Sequence, residues 1–145
     1  MALRKRTDYI VIHCSATPPN MDIGVEEIRK MHLQRGFSDV GYNRVIRRSG
    51  EWEQGRDDDE VGAHVQGFNS VSIGVCLVGG VDRRNRAEDN FTLEQMDTLR
   101  QMIPELQEKY PNAVVQGHRD FPDVHKDCPS FDVQAWMDEN GLSQN

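Results

Sequence analysis

The apolar positions change period several times along the chain, and each change marks an element. Residues 9–13 form a short run rich in Ile and Val, which predicts a strand ending at His13-Cys14-Ser15. A loop with Pro18-Pro19 follows. Val25, Ile28 and Met31 then recur at helical spacing, predicting a helix over Val25–Gln34 with Gly36 at its C-terminal cap. Residues 43–47 and 51–54 are strand candidates around a Ser49-Gly50 hairpin turn. Residues 71–78 (VSIGVCLV) are the most apolar run and predict a central strand buried on both faces, closed by Gly79-Gly80.

Thr92 and Gln95 have the spacing of a capping box, which opens a helix reaching about Tyr110. Leu93, Met96, Leu99, Met102, Ile103 and Leu106 are expected to form its buried face, and Pro104 to kink it or split it in two. Residues 114–116 read as a further strand, ending at Gly117-His118. Asp132 can cap a last helix that contains Trp136 and stops near Gly141. This alternation predicts an α/β fold: one domain over residues 1–145, with its core at about 8–140 and a mixed sheet flanked by helices.

Composition narrows the classes. A chain of 145 residues suits one domain with a real core, and 37% hydrophobic with 28% charged residues is an ordinary folded composition. A net charge of −7 argues against nonspecific nucleic-acid binding, so no nucleic-acid partner is expected. No apolar run is long enough to span a bilayer, so no stable membrane insertion is expected. The N-terminal positive charges precede an apolar stretch too short for a signal peptide, so synthesis in the cytoplasm without a signal is expected. The cysteines, Cys14, Cys76 and Cys128, are odd in number and widely spaced, which suits thiols or a metal better than disulfides.

Candidate chemistry gathers where strands end. His13 and His118 each close a predicted strand, and Cys128 follows His118 by ten residues, with Pro129 stiffening the chain beyond it. Two imidazoles and a thiolate suit Zn²⁺, and three protein ligands leave a fourth position for water, as in catalytic sites. Spacing alone does not decide this: each histidine could be a cap or core residue, and Cys128 a small buried hydrophobe.

The stretches HCSAT from His13, DVGYN from Asp39, EQGRD from Glu53, NSVSIGVCLVGG from Asn69, GHRD from Gly117 and KDCPSFD from Lys126 carry a resemblance. Over residues 9–136 the chain resembles the N-acetylmuramoyl-L-alanine amidases of the type-2 amidase and peptidoglycan-recognition-protein superfamily. In motif order and length it is most similar to the small phage lysozymes that are amidases. The resemblance implies a mixed, mostly parallel sheet and one catalytic zinc on His13, His118 and Cys128. It implies cleavage of the amide between N-acetylmuramic acid and L-alanine in peptidoglycan. Tyr42 and Lys126 fall on the family's active-site tyrosine and lysine. Lys126 would stabilise the oxyanion, and Tyr42 would orient water or donate to the tetrahedral intermediate. No general base can be placed; Asp120, Asp123 and Asp127 are the nearest acids in sequence.

His64 matches a histidine along the family's substrate groove, so it is expected either to contact substrate or to be structural. His125, three residues before Cys128, is the rival ligand to His118. His32 is expected to pack or cap, and Cys14 and Cys76 to face the core. Ser15 and Ser130 lack His–Asp partners at fitting positions. The basic loop Arg83-Arg84-Asn85-Arg86 is either solvated or a contact to the anionic wall. The resemblance further implies a monomeric endolysin that acts on the wall in the periplasm once the membrane is permeabilised. The alternatives are a peptidoglycan-binding module without catalysis, or an amidase that also binds and inhibits phage RNA polymerase.

Overall fold

A computed structural model describes residues 2–145. Its elements are β1 (Tyr9–Cys14), α1 (Val25–Gln34), β2 (Arg44–Ile46), β3 (Trp52–Gln54), β4 (Ser72–Leu77), α2 (Leu93–Lys109), β5 (Val114–Gly117) and α3 (Val133–Glu139). The strands form one sheet in the order β3-β2-β4-β1-β5. β1, β2, β4 and β5 run parallel, while β3 pairs antiparallel to β2. The mixed α/β sheet expected from the alternation is therefore present, and it is mostly parallel, as the resemblance implies.

Side-chain alternation along β1 divides the molecule. Ile10 and Ile12 point to one face, where Ile73, Val75 and Leu77 of β4 meet Leu99, Ile103 and Leu106 of α2 and Val133 and Met137 of α3. The opposite face is covered in two patches. Val25 and Ile28 of α1 pack on Val45 and Cys76, and Val65 and Phe121 pack on Val11. His13 lies on this second face, in phase with Val11, at the carboxyl end of β1. All six residues of β4 are buried, in keeping with its place between β1 and β2.

Of the two outcomes expected at Pro104, a kink or a split, the split is absent: α2 runs unbroken from Leu93 to Lys109. Pro104 is exposed. The carbonyl that its missing N–H leaves free can therefore be satisfied by water. The expected burial of Leu93 is corrected: it is 87% exposed, while Gln95 is fully buried. Thr92 Oγ1 accepts from the Gln95 N–H, and Gln95 Oε1 accepts from the Thr92 N–H. The Gln95 amide also donates to the carbonyls of Ile46 (3.1 Å), the last residue of β2, and Val78 (2.9 Å), just beyond β4. The first turn of α2 thus faces the sheet with its capping glutamine rather than with Leu93.

The basic loop is exposed and folds on Asp82, whose Oδ1 accepts from the N–H groups of Arg84 and Arg86. Among the described residues, no helix is long and apolar enough to cross a membrane.

Candidate active site

The sheet register explains why His13 and His118 meet. β1 and β5 are parallel neighbours, with Ile12 paired to Gly117. The next residue in each case is a histidine, His13 near the end of β1 and His118 just past β5, so the two rings leave adjacent strand ends. Neighbouring strands lie ~4.8 Å apart, and the ring centroids are 4.6 Å apart. Open parallel sheets commonly place their sites beyond the carboxyl ends of strands.

Cys128 reaches the same point from a loop that is stitched back to it. The Arg119 N–H donates to the Cys128 carbonyl (2.9 Å), and the Cys14 N–H donates to Cys128 Sγ (3.3 Å). Pro129 follows closely enough that a Cβ on Gly117 would lie 2.8 Å from its Cδ, so only glycine at 117 lets this loop seat against β5. The result is a cluster of His13, His118 and Cys128 whose donor atoms all lie within 4.8 Å of one another. His125 is exposed and outside the cluster.

His13 Nδ1 lies 3.7 Å from Cys128 Sγ. A zinc ion bound tetrahedrally by one imidazole nitrogen and one thiolate separates those atoms by ~3.6 Å, so the donor set and its spacing fit zinc. Burial, then the positive charges of neighbouring groups, holds His13 well below the ordinary histidine range. Burial and the nearby Lys126 lower His118 as well. Both rings are therefore neutral at neutral pH, the form that ligates metal. The Cys14 thiol and burial hold the Cys128 thiol above its ordinary range. A bound cation is what would convert it to thiolate.

Tyr42 flanks the cluster, its ring centroid 5.1 Å from that of His13. Burial and the neighbouring thiols raise its hydroxyl well above the usual range, which keeps it an O–H donor. A support that sequence reading missed fixes its loop: the Gly41 N–H donates to His32 Nδ1 (2.8 Å), and the His32 and Tyr42 rings lie 5.4 Å apart. Lys126 is exposed at the rim, near enough for its charge to act on both His13 and His118.

The cluster contains no carboxylate. Asp120 Oδ2 accepts from the Gly117 N–H (2.8 Å), while Asp123 and Asp127 are exposed. Cys14 and Cys76 are buried as expected, but Cys14 sits beside the site through its N–H to Cys128 and its Sγ 3.9 Å from Ser130 Oγ.

Of the two expectations for His64, contact with substrate or a structural place, its surroundings favour the second. His64 is 9% exposed and lies behind His13, with His13 Nε2 2.8 Å from His64 Nδ1. Its ring is buried against His13 and has little exposed surface.

Residues 3–131 match the family model for N-acetylmuramoyl-L-alanine amidase. An endolysin of Klebsiella phage KP32 is 50% identical over 139 residues, covering 96% of this chain and 91% of that one. The endolysin of Escherichia phage T7 is 47% identical over 139 residues, with the same coverage of 96% and 91%. Among solved structures, the N-acetylmuramoyl-L-alanine amidase LysC from Clostridium intestinale superposes with a TM-score of 0.80 at 26% identity, covering 95% of this chain and 87% of that one.

Proposed function

Since the chain belongs to the N-acetylmuramoyl-L-alanine amidase family, we propose that it is a phage endolysin using one zinc ion on His13, His118 and Cys128. Its substrate is peptidoglycan, cut at the amide between the lactyl group of N-acetylmuramic acid and L-alanine. The observation that carries the metal reading is the convergence of these three donors, from two strand ends and a distant loop, within 4.8 Å.

A zinc ion held there would polarise the amide carbonyl and lower the pKa of a bound water toward ~7. The residues around it divide the remaining work. The Lys126 ammonium, free at the rim, stabilises negative charge developing on the carbonyl oxygen. The Tyr42 hydroxyl, held protonated, donates to the tetrahedral centre or orients the attacking water. No carboxylate stands in the cluster to take a proton from that water. The enzyme works on the wall in the periplasm, after the membrane has been permeabilised.

Digestion of purified peptidoglycan tests this directly. The products should carry new N-terminal L-alanine and no new reducing sugar ends. Metal analysis should find one zinc per chain, and chelation should stop the digestion. New reducing ends would mean a glycosidase, and full activity in metal-free protein would sink the zinc mechanism.

A further inference from the structure

His64 has no role in the mechanism above, yet its surroundings are built around its ring. We propose that His64 is a positioning residue for the metal site: it accepts the His13 Nε2 proton and so commits His13 Nδ1 to zinc. The inference rests on the zinc reading and adds a residue to it.

The hydrogen bonds fix the direction of the relay. Ser72 Oγ donates to the Phe68 carbonyl at 2.8 Å, which leaves Ser72 only lone pairs to offer His64 Nε2 at 3.4 Å. His64 therefore carries its proton on Nε2 and presents Nδ1 as an acceptor. The group facing that acceptor is His13 Nε2, at 2.8 Å. His13 must then hold its own proton on Nε2 and leave the Nδ1 lone pair free, on the side where Cys128 Sγ lies 3.7 Å away. A ligand's distal N–H held by a fixed acceptor both selects the tautomer and aims the ring.

The ring of His64 has one place to sit. A Cβ on Gly62 would lie 2.6 Å from its Cδ2, and a Cβ on Gly74 would lie 2.8 Å from its Cγ, Cδ2 and Nδ1. Side chains at either position would take up the space that the ring occupies. Asn69 fixes the backbone there, with Oδ1 accepting from the N–H groups of His64 (2.8 Å) and Val65 (2.9 Å). A histidine that merely filled a core would not require an acceptor aimed at the ligand ring.

The test compares His64→Leu with His64→Asn in the full chain. Asn can place an acceptor oxygen near the position of Nδ1; Leu cannot. Zinc affinity is read by competition with a chromogenic chelator, using Zn²⁺ alone, and the melting temperature of metal-free protein is recorded alongside. His64→Leu should weaken zinc binding by about 10–100-fold, with His64→Asn recovering most of it. An unchanged affinity in His64→Leu, or equal losses in both variants, overturns the inference while leaving the zinc site standing. A wild-type protein that takes up no zinc overturns both. Should His64→Leu fail to fold, ¹H–¹⁵N spectra of zinc-loaded wild type decide. A protonated, exchange-protected Nε2 on His13 supports the inference; zinc bound through Nε2 overturns it.

Discussion

His13 Nδ1 and Cys128 Sγ lie 3.7 Å apart although 115 residues separate them in the chain. No local preference produces that contact; it depends on β1, β5 and the loop after His118 all being in place. The two side chains should therefore act as one unit.

Replacing Cys128 with Ser should remove zinc and nearly all activity together, because a neutral hydroxyl is a far weaker zinc donor than a thiolate. The fold should persist, since the core packs between the sheet and its helices, away from the cluster. Metal analysis and far-ultraviolet circular dichroism on the same sample check this. An active variant with normal zinc would remove Cys128 from the ligand set.

Tyr42→Phe and Lys126→Ala should keep both zinc and fold but slow catalysis. Loss of the Lys126 charge should cost about 10²–10³ in kcat/KM, as for other oxyanion donors. The Tyr42 loss should be smaller if the hydroxyl only orients water. Release of zinc by either variant would contradict its assigned role.

Asp58 tests an ion pair remote from the site. Its carboxylate lies 2.7 Å from Arg44 Nη2, with Asp58 only 13% exposed. Burial alone would raise the Asp58 pKa, but hydrogen bonds from Arg44, Gln54 and Lys109 outweigh it and lower it from 3.8 to about 2. The folded value lies below the unfolded one, so this stabilisation is present above about pH 4 and fades as pH falls toward 2. Asp58→Asn should cost about 2 kcal/mol at neutral pH, and the gap to wild type should close across that acidic window in urea titrations.

Gln95 tests the other face of the sheet. Its buried amide serves the carbonyls of Ile46 and Val78 and also caps α2. Gln95→Ala removes the cap and leaves buried polar groups with fewer partners, and should cost about 2–4 kcal/mol. Activity at low temperature should be unaffected, because none of these atoms approaches the cluster. A loss below about 0.5 kcal/mol would mean that water takes over the amide's bonds.

Much of the architecture was legible in the chain. The Ile- and Val-rich run at residues 9–13, the apolar stretch of β4 and the helical spacing in α1 and α2 each marked their elements, because burial on one face or two leaves a local pattern. The ordered motifs placed His13, His118, Cys128, Tyr42 and Lys126 together without coordinates. The errors came where one side chain's direction depended on distant partners. Leu93 looked like core, but the turn of α2 rotates so that Gln95 reaches two strand ends. Pro104 looked like a break, but it falls on the water-facing side.

The sequence by itself determined the order and type of the elements and which residues can do metal chemistry, since periodicity and residue type are local properties. Only the tertiary structure decided which atoms meet. The β1–β5 register aligns the residues after Ile12 and Gly117, which sets His13 beside His118, and the loop tied to Arg119 delivers Cys128. It also set His64 against His13, because glycines at 62 and 74 leave room there that no one-dimensional pattern records.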